Sequence, residues 1–228
     1  MLPYEAPVLR FNAVARGANM HDWVGSVRFL FIRHAQAEYG ADEGGLTNKG
    51  AEQARVLGGL LATRGVDGVF ASPALRALET ASAFSAKPRI DARLAEFDFG
   101  PDWLPMAEAV ATEAHLALWR SGDRPPGGES LKEFQARVNA VLDELASGQH
   151  GDMIAVFTHA GVIDAALRWA YRLPVDGDWM TEAEVWNASI TEMEHWPRGK
   201  QTGGAPRHSV IYRVGDISHL PPGLRTDY

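Results

Sequence analysis

The sequence contains no cysteine, and this absence removes several chemistries at once. Without thiols the chain can form no disulfide, use no thiolate nucleophile and bind no zinc through cysteine. Positive charge is also scarce, because 22 Lys and Arg residues stand against 29 Asp and Glu residues, for a net charge of −7. Proteins that bind the phosphate backbone of nucleic acids generally expose a positive surface. This excess of negative charge therefore disfavours binding to nucleic acids or to anionic membranes.

Long apolar runs are missing as well, so no segment of the sequence predicts a membrane-spanning helix. Near the N-terminus, Arg10, Asn12 and Arg16 interrupt every apolar stretch, which does not fit the apolar core of a signal peptide. We therefore expect a cytoplasmic protein. Residues 1–26 are interpreted as an N-terminal extension and residues 27–228 as a single domain.

What the sequence does have is an alternation of strand-like and helical segments. Buried strands are predicted at residues 27–32, 66–72 and 152–157, and an extended segment at residues 89–100. Two further strands, expected to be antiparallel, are predicted at residues 187–196 and 209–215. Helical patterns occupy residues 46–65, 72–84, 105–120, 129–146 and 160–173. The alternation predicts an α/β fold, a three-layer α/β/α sandwich with a mainly parallel mixed central sheet.

Two helix starts can be read from the residues that favour N-caps. Thr47 suits the N-cap of the first helix, which Gly65 would stop. Ser72 suits the N-cap of the second helix, with Pro73 at its first helical position.

Charged or polar side chains follow three of the predicted strands. Arg33 and His34 end the first strand, Ser72 ends the second with Arg76 one turn later, and His159 follows the strand at 152–157. In open α/β sheets, ligands bind beyond the carboxyl ends of the strands. Neighbouring parallel strands would bring two arginines and two histidines together, and helix N-termini would add backbone N–H donors. The sequence therefore predicts a site for a small oxyanion, with phosphate the natural choice.

Five segments, in order, resemble the histidine phosphatase (phosphoglycerate mutase-like) superfamily: "FIRHAQ", "SPALRALETA", "LAEFDFG", "GGESLKEFQARV" and "FTHAGV". The similarity extends from about residue 27 to the "HL" at 219–220. The resemblance implies a metal-independent phosphomonoesterase that needs no cofactor and acts on a small phosphorylated substrate. Arginine and histidine would supply the positive charge that a metal provides elsewhere. A homodimer is left open.

The same resemblance gives each candidate residue a role. His34 would be the nucleophile, forming a phosphohistidine that water hydrolyses. Glu96 would be the general acid that protonates the leaving oxygen and then activates water, with Phe97 and Phe99 supplying apolar surroundings that raise its pKa. The residues expected at the phosphoryl oxygens are Arg33, Arg76, His159, Gln36 and Ala160. Ser72 is interpreted as a helix cap and not as a phosphate ligand.

The sequence departs from the family pattern next to the nucleophile. Ala35 stands where the family usually has glycine, and Ala37 and Gly40 stand where polar phosphate contacts commonly follow. These departures leave open a degenerate member that binds phosphate, or serves as a scaffold, without useful turnover.

The distribution of charge bears on two further functions. A phosphoglycerate mutase-type phosphotransferase needs cationic groups for a second anionic group, and no Lys or Arg lies between Leu94 and Trp119. This absence disfavours the mutase and favours a leaving group that is apolar, neutral or cationic. A metal site built from His34, His159 and a carboxylate is disfavoured because the two arginines would repel the cation.

Overall fold

The structure is a computed structural model that describes residues 25–38, 44–100, 123–147, 149–174, 183–196 and 209–227. The strands in this part of the chain are β1 (Val27–Arg33), β2 (Gly68–Ala71), β3 (Arg89–Ile90), β4 (Met153–Thr158), β5 (Ile190–His195) and β6 (Ser209–Asp216). The α-helices are α1 (Asn48–Leu61), α2 (Leu75–Ser82), α3 (Leu131–Leu145) and α4 (Ala160–Tyr171). Short 3₁₀ helices span Ala92–Leu94 and Pro222–Leu224.

The strands form one sheet in the order β3-β2-β4-β1-β5-β6. The pairings β3-β2, β2-β4 and β4-β1 are parallel, whereas β5 and β6 are added to β1 in antiparallel pairings. The predicted mixed, mainly parallel sheet is therefore confirmed, as is the antiparallel pair at its end.

The alternation of side chains along β1 explains why helices pack on both faces of the sheet. Successive side chains of a strand point to opposite faces, and every residue from Phe29 to Ile32 is buried. Phe29 and Phe31 pack in one core cluster with apolar residues of α3 and α4. Leu30 and Ile32 pack in the other cluster with apolar residues of α1 and α2. A sheet covered by helices on both faces is the predicted three-layer sandwich.

The parallel pairings place the ends of three strands at one edge of the sheet. Arg33 is the register partner of Thr158, and the His34 N–H donates to the Thr158 carbonyl over 2.9 Å. The Ser72 N–H donates to the Phe157 carbonyl, also over 2.9 Å. His34, Ser72 and the residue after Thr158 therefore emerge side by side.

The prediction for the first helix start is confirmed, but that for the second is wrong. The Thr47 hydroxyl caps α1 by accepting the Gly50 N–H. Helix α2 begins only at Leu75, after an extended Ala74, and no side chain caps it. The reason is that the Ser72 hydroxyl accepts the Ala74 N–H and so holds the preceding residues in a turn.

The segment at residues 89–100 is less extended than its sequence predicts. Only Arg89–Ile90 forms a strand, because the Asp91 side chain accepts the Arg93 N–H and starts a 3₁₀ helix. The predicted helix at residues 105–120 lies outside the described residues. In the part of the chain that is described, no helix has the length and apolarity needed to cross a membrane.

Two glycines of α1 test how closely this helix packs against the loop after β1. A Cβ on Gly50 would lie 1.9 Å from the Gln36 carbonyl oxygen, whereas a Cβ on the exposed Gly59 would meet nothing within 4 Å. We expect Gly50→Ala to lower the free energy of unfolding by about 1–3 kcal/mol, because the loop after β1 must move. Gly59→Ala should raise it by about 1 kcal/mol, because alanine favours the helix. Urea unfolding of both variants checks this, and a shift of the same sign in both would contradict it.

Candidate active site

His34, the first residue after β1, has a defined tautomer. Its Nδ1 lies 2.8 Å from the Ala35 carbonyl oxygen. Because a carbonyl can only accept, Nδ1 carries the proton and the neutral ring keeps its lone pair on Nε2. Burial, followed by the charges of Arg76 and Arg33, lowers the pKa of His34 to about 3. At neutral pH the side chain is thus an uncharged imidazole.

His159 is the N-cap residue of α4 and lies against His34, with ring centroids 5.3 Å apart and ring planes at 62°. Arg76 Nη2 lies 3.3 Å from His159 Nδ1, and a guanidinium can only donate. His159 therefore accepts at Nδ1 and donates its Nε2–H to the Ser72 hydroxyl over 2.8 Å. Burial, together with the nearby His34 and Arg76, holds the pKa of His159 well below its usual value.

Ser72 therefore does not have the role of helix cap that its sequence predicts. The side chain is fully buried and its hydroxyl fixes the ring of His159. Sequence reasoning treated this serine as a helix cap because serine is common at N-caps, and nothing local in the sequence indicates a partner 87 positions away.

Glu96 lies in the loop that follows the 3₁₀ helix Ala92–Leu94. Its carboxyl oxygens accept the Phe97 N–H over 2.9 Å and the Gly161 N–H over 3.2 Å. Burial raises the pKa of Glu96, against the lowering effect of these two hydrogen bonds and of the charges on Arg76 and Arg33. A Cβ at Gly161 would lie 2.4 Å from Glu96 Oε1, so glycine at this position of α4 permits the close approach.

The expected apolar surroundings of Glu96 are present. The ring of Phe97, 7% exposed, packs edge-on against Phe99 at 4.6 Å and against Phe134 at 5.4 Å. A Cβ on Gly161 would lie 2.4 Å from Glu96 Oε1 and 3.5 Å from the Phe134 ring, so this aromatic cluster lies near the carboxyl group, and loss of water disfavours its charged form.

Two arginines supply the positive charge of the site. Arg76 lies in the first turn of α2, whereas Arg33 is the last residue of β1. Arg33 Nη1 donates to the carbonyls of Val185 at 2.6 Å and Asp227 at 2.7 Å. Both charges lower the pKa values of His34 and His159 and, against the larger effect of burial, that of Glu96.

The remaining predicted phosphate contacts are Gln36, two residues after His34, and Ala160, the residue after His159. The Gln36 side-chain oxygen accepts from the Thr47 hydroxyl over 2.9 Å, which ties it to the N-cap of α1. Ala160 is the first residue of α4, so its N–H belongs to the turn whose donors have no intrahelical acceptor. The structure thus brings together His34, His159, Arg76, Arg33 and Glu96, with Gln36 and Ala160 in neighbouring segments.

Ala35, the residue in place of the usual glycine, is accommodated without backbone strain. Among the described residues other than glycine, only Arg172 and Ala188 have a positive φ, so Ala35 has an ordinary backbone conformation. Its N–H donates to the Thr80 hydroxyl over 2.9 Å. The Ala37 position forms a β-bridge with Leu46, and Gly40 lies outside the described residues.

Several buried polar residues behind the nucleophile were missed by sequence reasoning. Gln53 accepts the Gln36 N–H and donates to the Leu224 carbonyl, while Asn187 donates to the His34 carbonyl. The signal for Gln53 was its position among the core-facing residues of α1, where a polar side chain needs a buried partner.

The described residues contain no cluster of three or more His, Asp or Glu side chains arranged to hold a metal ion. The carboxyl group of Glu96 instead accepts two backbone N–H groups.

The chain belongs to the histidine phosphatase superfamily (branch 1), whose family model matches residues 29–203. A glucosyl-3-phosphoglycerate phosphatase of Mycolicibacterium vanbaalenii is 33% identical over 203 residues, covering 78% of this chain and 88% of the relative. Three mycobacterial relatives, among them a Mycobacterium tuberculosis protein named as bifunctional, are 32% identical over 182 residues. That match covers 68% of this chain but 50% of the relatives, so the chain spans about half of their length.

Solved structures agree with the family assignment. A mycobacterial glucosyl-3-phosphoglycerate phosphatase superimposes with a TM-score of 0.63 at 26% identity, covering 75% of this chain and 91% of that chain. Other curated relatives bear the names phosphoserine phosphatase and phosphoglycerate mutase.

The low pKa of His34 predicts how stability depends on pH. The unfolded chain takes up this proton near the ordinary pKa of 6.5, whereas the folded protein does so only near about 3. Between these values the unfolded state binds more protons, so stability falls as pH falls, by up to about 1.4 kcal/mol per pH unit from this group. We expect His34→Asn to lose less stability than the native protein across this window in urea unfolding. Parallel curves for the two proteins would contradict the buried, neutral His34.

Proposed function

We propose that this protein is a metal-independent phosphomonoesterase that acts through a phosphohistidine on His34. The observation that supports the proposal most is the tautomer of His34, because the Ala35 carbonyl holds the Nδ1 proton and leaves the lone pair on Nε2. A neutral imidazole next to two guanidinium groups is suited to attack a phosphoryl group that those cations bind.

In the first step, the Nε2 lone pair of His34 forms a bond to phosphorus while the bond from phosphorus to the leaving oxygen breaks. Glu96 in its protonated form, which the raised pKa favours, gives its proton to that oxygen. Arg33 and Arg76 stabilise the charge on the phosphoryl oxygens, and a planar guanidinium fits these oxygens well.

In the second step, water replaces the histidine. The carboxylate of Glu96 takes one proton from the attacking water, the bond from Nε2 to phosphorus breaks, and inorganic phosphate leaves. His34 returns to the neutral form in which its Nδ1–H still donates to Ala35. The proposed contact of His159 with a phosphoryl oxygen requires it to exchange one of its two present hydrogen bonds, to Ser72 or from Arg76.

The substrate we propose is a small phosphomonoester whose leaving group is apolar, neutral or cationic. The support is the absence of Lys and Arg from Leu94 to Trp119, a segment of which residues 101–122 lie outside the described part. A panel that includes bisphosphoglycerate, phosphoserine and glucosyl-3-phosphoglycerate tests this proposal. Preference for bisphosphoglycerate would contradict it and would favour a phosphoglycerate mutase-type phosphotransferase, a name that some relatives bear.

The central prediction concerns His34→Ala. The native protein should release phosphate from p-nitrophenyl phosphate in the presence of a chelator, and the variant should release none, because it has no nucleophile. His150→Ala, which changes a histidine that contacts Arg89 and Phe70 instead, is the matched control and should keep its activity. Turnover by His34→Ala would overturn the assignment. Phosphate binding without turnover by the native protein would favour a degenerate, phosphate-binding member of the family.

The role of Glu96 predicts a pH effect. Because the acid must be protonated, kcat/KM should fall as pH rises through the raised pKa of Glu96. Glu96→Gln should lose this dependence and should lower kcat/KM for substrates with poor leaving groups by about 10²–10⁴-fold. Initial rates measured from pH 4 to pH 9, about the range over which carboxyl groups are tuned, check both effects. An unchanged profile in Glu96→Gln would contradict the assignment.

A further inference from the structure

Arg137 on α3 donates three hydrogen bonds to the backbone of residues 93–96 and two to the carboxylate of Glu129. Its Nη1 donates to the carbonyls of Arg93 and Ala95, both over 2.8 Å. Its Nη2 donates to the Glu96 carbonyl over 2.9 Å and to Glu129 Oε1 over 2.5 Å, while Nε donates to Glu129 Oε2 over 2.9 Å. A guanidinium has five N–H groups, and all five have acceptors here.

Glu129 links Arg137 to the backbone of Asp98, two residues after Glu96. The same Oε1 that accepts from Arg137 accepts the Asp98 N–H over 3.0 Å, and the Glu129 N–H donates to the Asp98 carbonyl over 2.9 Å. Arg137 thus fixes the backbone up to Glu96, and Glu129 fixes it two residues later. The side chains of this bidentate pair are 22% and 16% exposed, so solvent screens it only in part.

The loop of residues 125–129 also lies directly against the loop of residues 96–100. A Cβ on Gly128 would be 2.3 Å from the Asp98 carbonyl oxygen, and one on Gly100 would be 2.1 Å from the Pro126 carbonyl oxygen. Gly100 has a φ of 84°, in the region that favours glycine. The two backbones therefore touch without side chains between them.

From this geometry we infer that Arg137 and Glu129 are positioning residues that aim the carboxyl group of Glu96 for proton transfer. The inference rests on the proposed function, since it needs Glu96 to be the acid. The segment from Ala95 to Gly100 contains no helix or strand, so hydrogen bonds from residues outside it define its path. A displacement of about 1 Å can cost 10²-fold in rate, so such fixing matters for an acid.

Two substrates with different leaving groups distinguish a positioning role from a purely structural one. A purely structural role would not change the ratio of their kcat/KM values. Protonation matters little for p-nitrophenolate, which leaves readily, and much for an alkoxide. We expect Arg137→Lys and Glu129→Gln to lower kcat/KM for ethyl phosphate by about 10- to 100-fold, with a much smaller loss for p-nitrophenyl phosphate. Lysine keeps the positive charge but lacks the planar guanidinium group with its five N–H donors. Glutamine places an amide N–H₂ group, which cannot accept a hydrogen bond, against a guanidinium donor.

Glu144→Gln is the matched control. Glu144 also joins α3 to this loop through the Arg93 side chain, but it is 55% exposed and does not contact the backbone around Glu96. This variant should keep the native ratio of the two kcat/KM values. Thermal unfolding shows which variants are folded, and if Arg137→Lys is not, Glu129→Gln decides the matter.

Glu96→Gln separates failure of this inference from failure of the proposed function. If Glu96→Gln shows the selective loss on ethyl phosphate and the double variant Glu96→Gln/Arg137→Lys is no worse, the inference is supported. If Glu96→Gln shows that loss but the two positioning variants slow both substrates equally, or neither, the inference is overturned and the function stands. If Glu96→Gln itself shows no selectivity, the acid role fails and the inference fails with it.

Discussion

The parallel pairing of β1 with β4 is the constraint on which the site depends. Because the two strands run in the same direction and Arg33 pairs with Thr158, the residues that follow them, His34 and His159, leave the sheet together. The β2-β4 pairing adds Ser72 at the same edge. A shift of one residue along either pairing would turn the side chains to the opposite face and separate these groups.

Burial decides which of the assembled groups are charged. Two histidines next to two guanidinium groups could not all be cationic without strong repulsion, and loss of water favours the neutral imidazole. The positive charge therefore resides on Arg33 and Arg76, and His34 keeps the lone pair that a nucleophile needs. The same burial acts in the opposite sense on Glu96, which it keeps protonated to a higher pH. Burial thus favours the neutral form of both groups, an imidazole with a lone pair and a carboxylic acid with a proton.

The sequence predicts the parts of this arrangement that follow from short periodicities. The apolar run of β1, the amphipathic patterns of α1 and α3, and the order of the elements give the fold, and strand ends give His34 and His159. Ser72 was misread because its hydroxyl accepts the Ala74 N–H in a local turn and does not cap the helix, while its bond to His159, far along the chain, depends on the tertiary structure. The two acceptors of the Gln53 side-chain N–H₂ also depend on the tertiary structure, since they lie in the C-terminal segment at Leu224 and Thr226.

The path of the loop around Glu96 could not be predicted from the sequence, and the reason is physical. A buried carboxyl group must be held within a few tenths of an ångström to transfer a proton, yet this loop has no repeating hydrogen bonds to hold it. Its path is set by donors from elsewhere, the fork of Arg137 and the N–H of Gly161, and by the contact with Gly128. Each of these residues belongs to a motif that is easily seen in the sequence, in "GGESLKEFQARV" and "FTHAGV". That all of them contact the same segment around Glu96 becomes visible only in the folded structure.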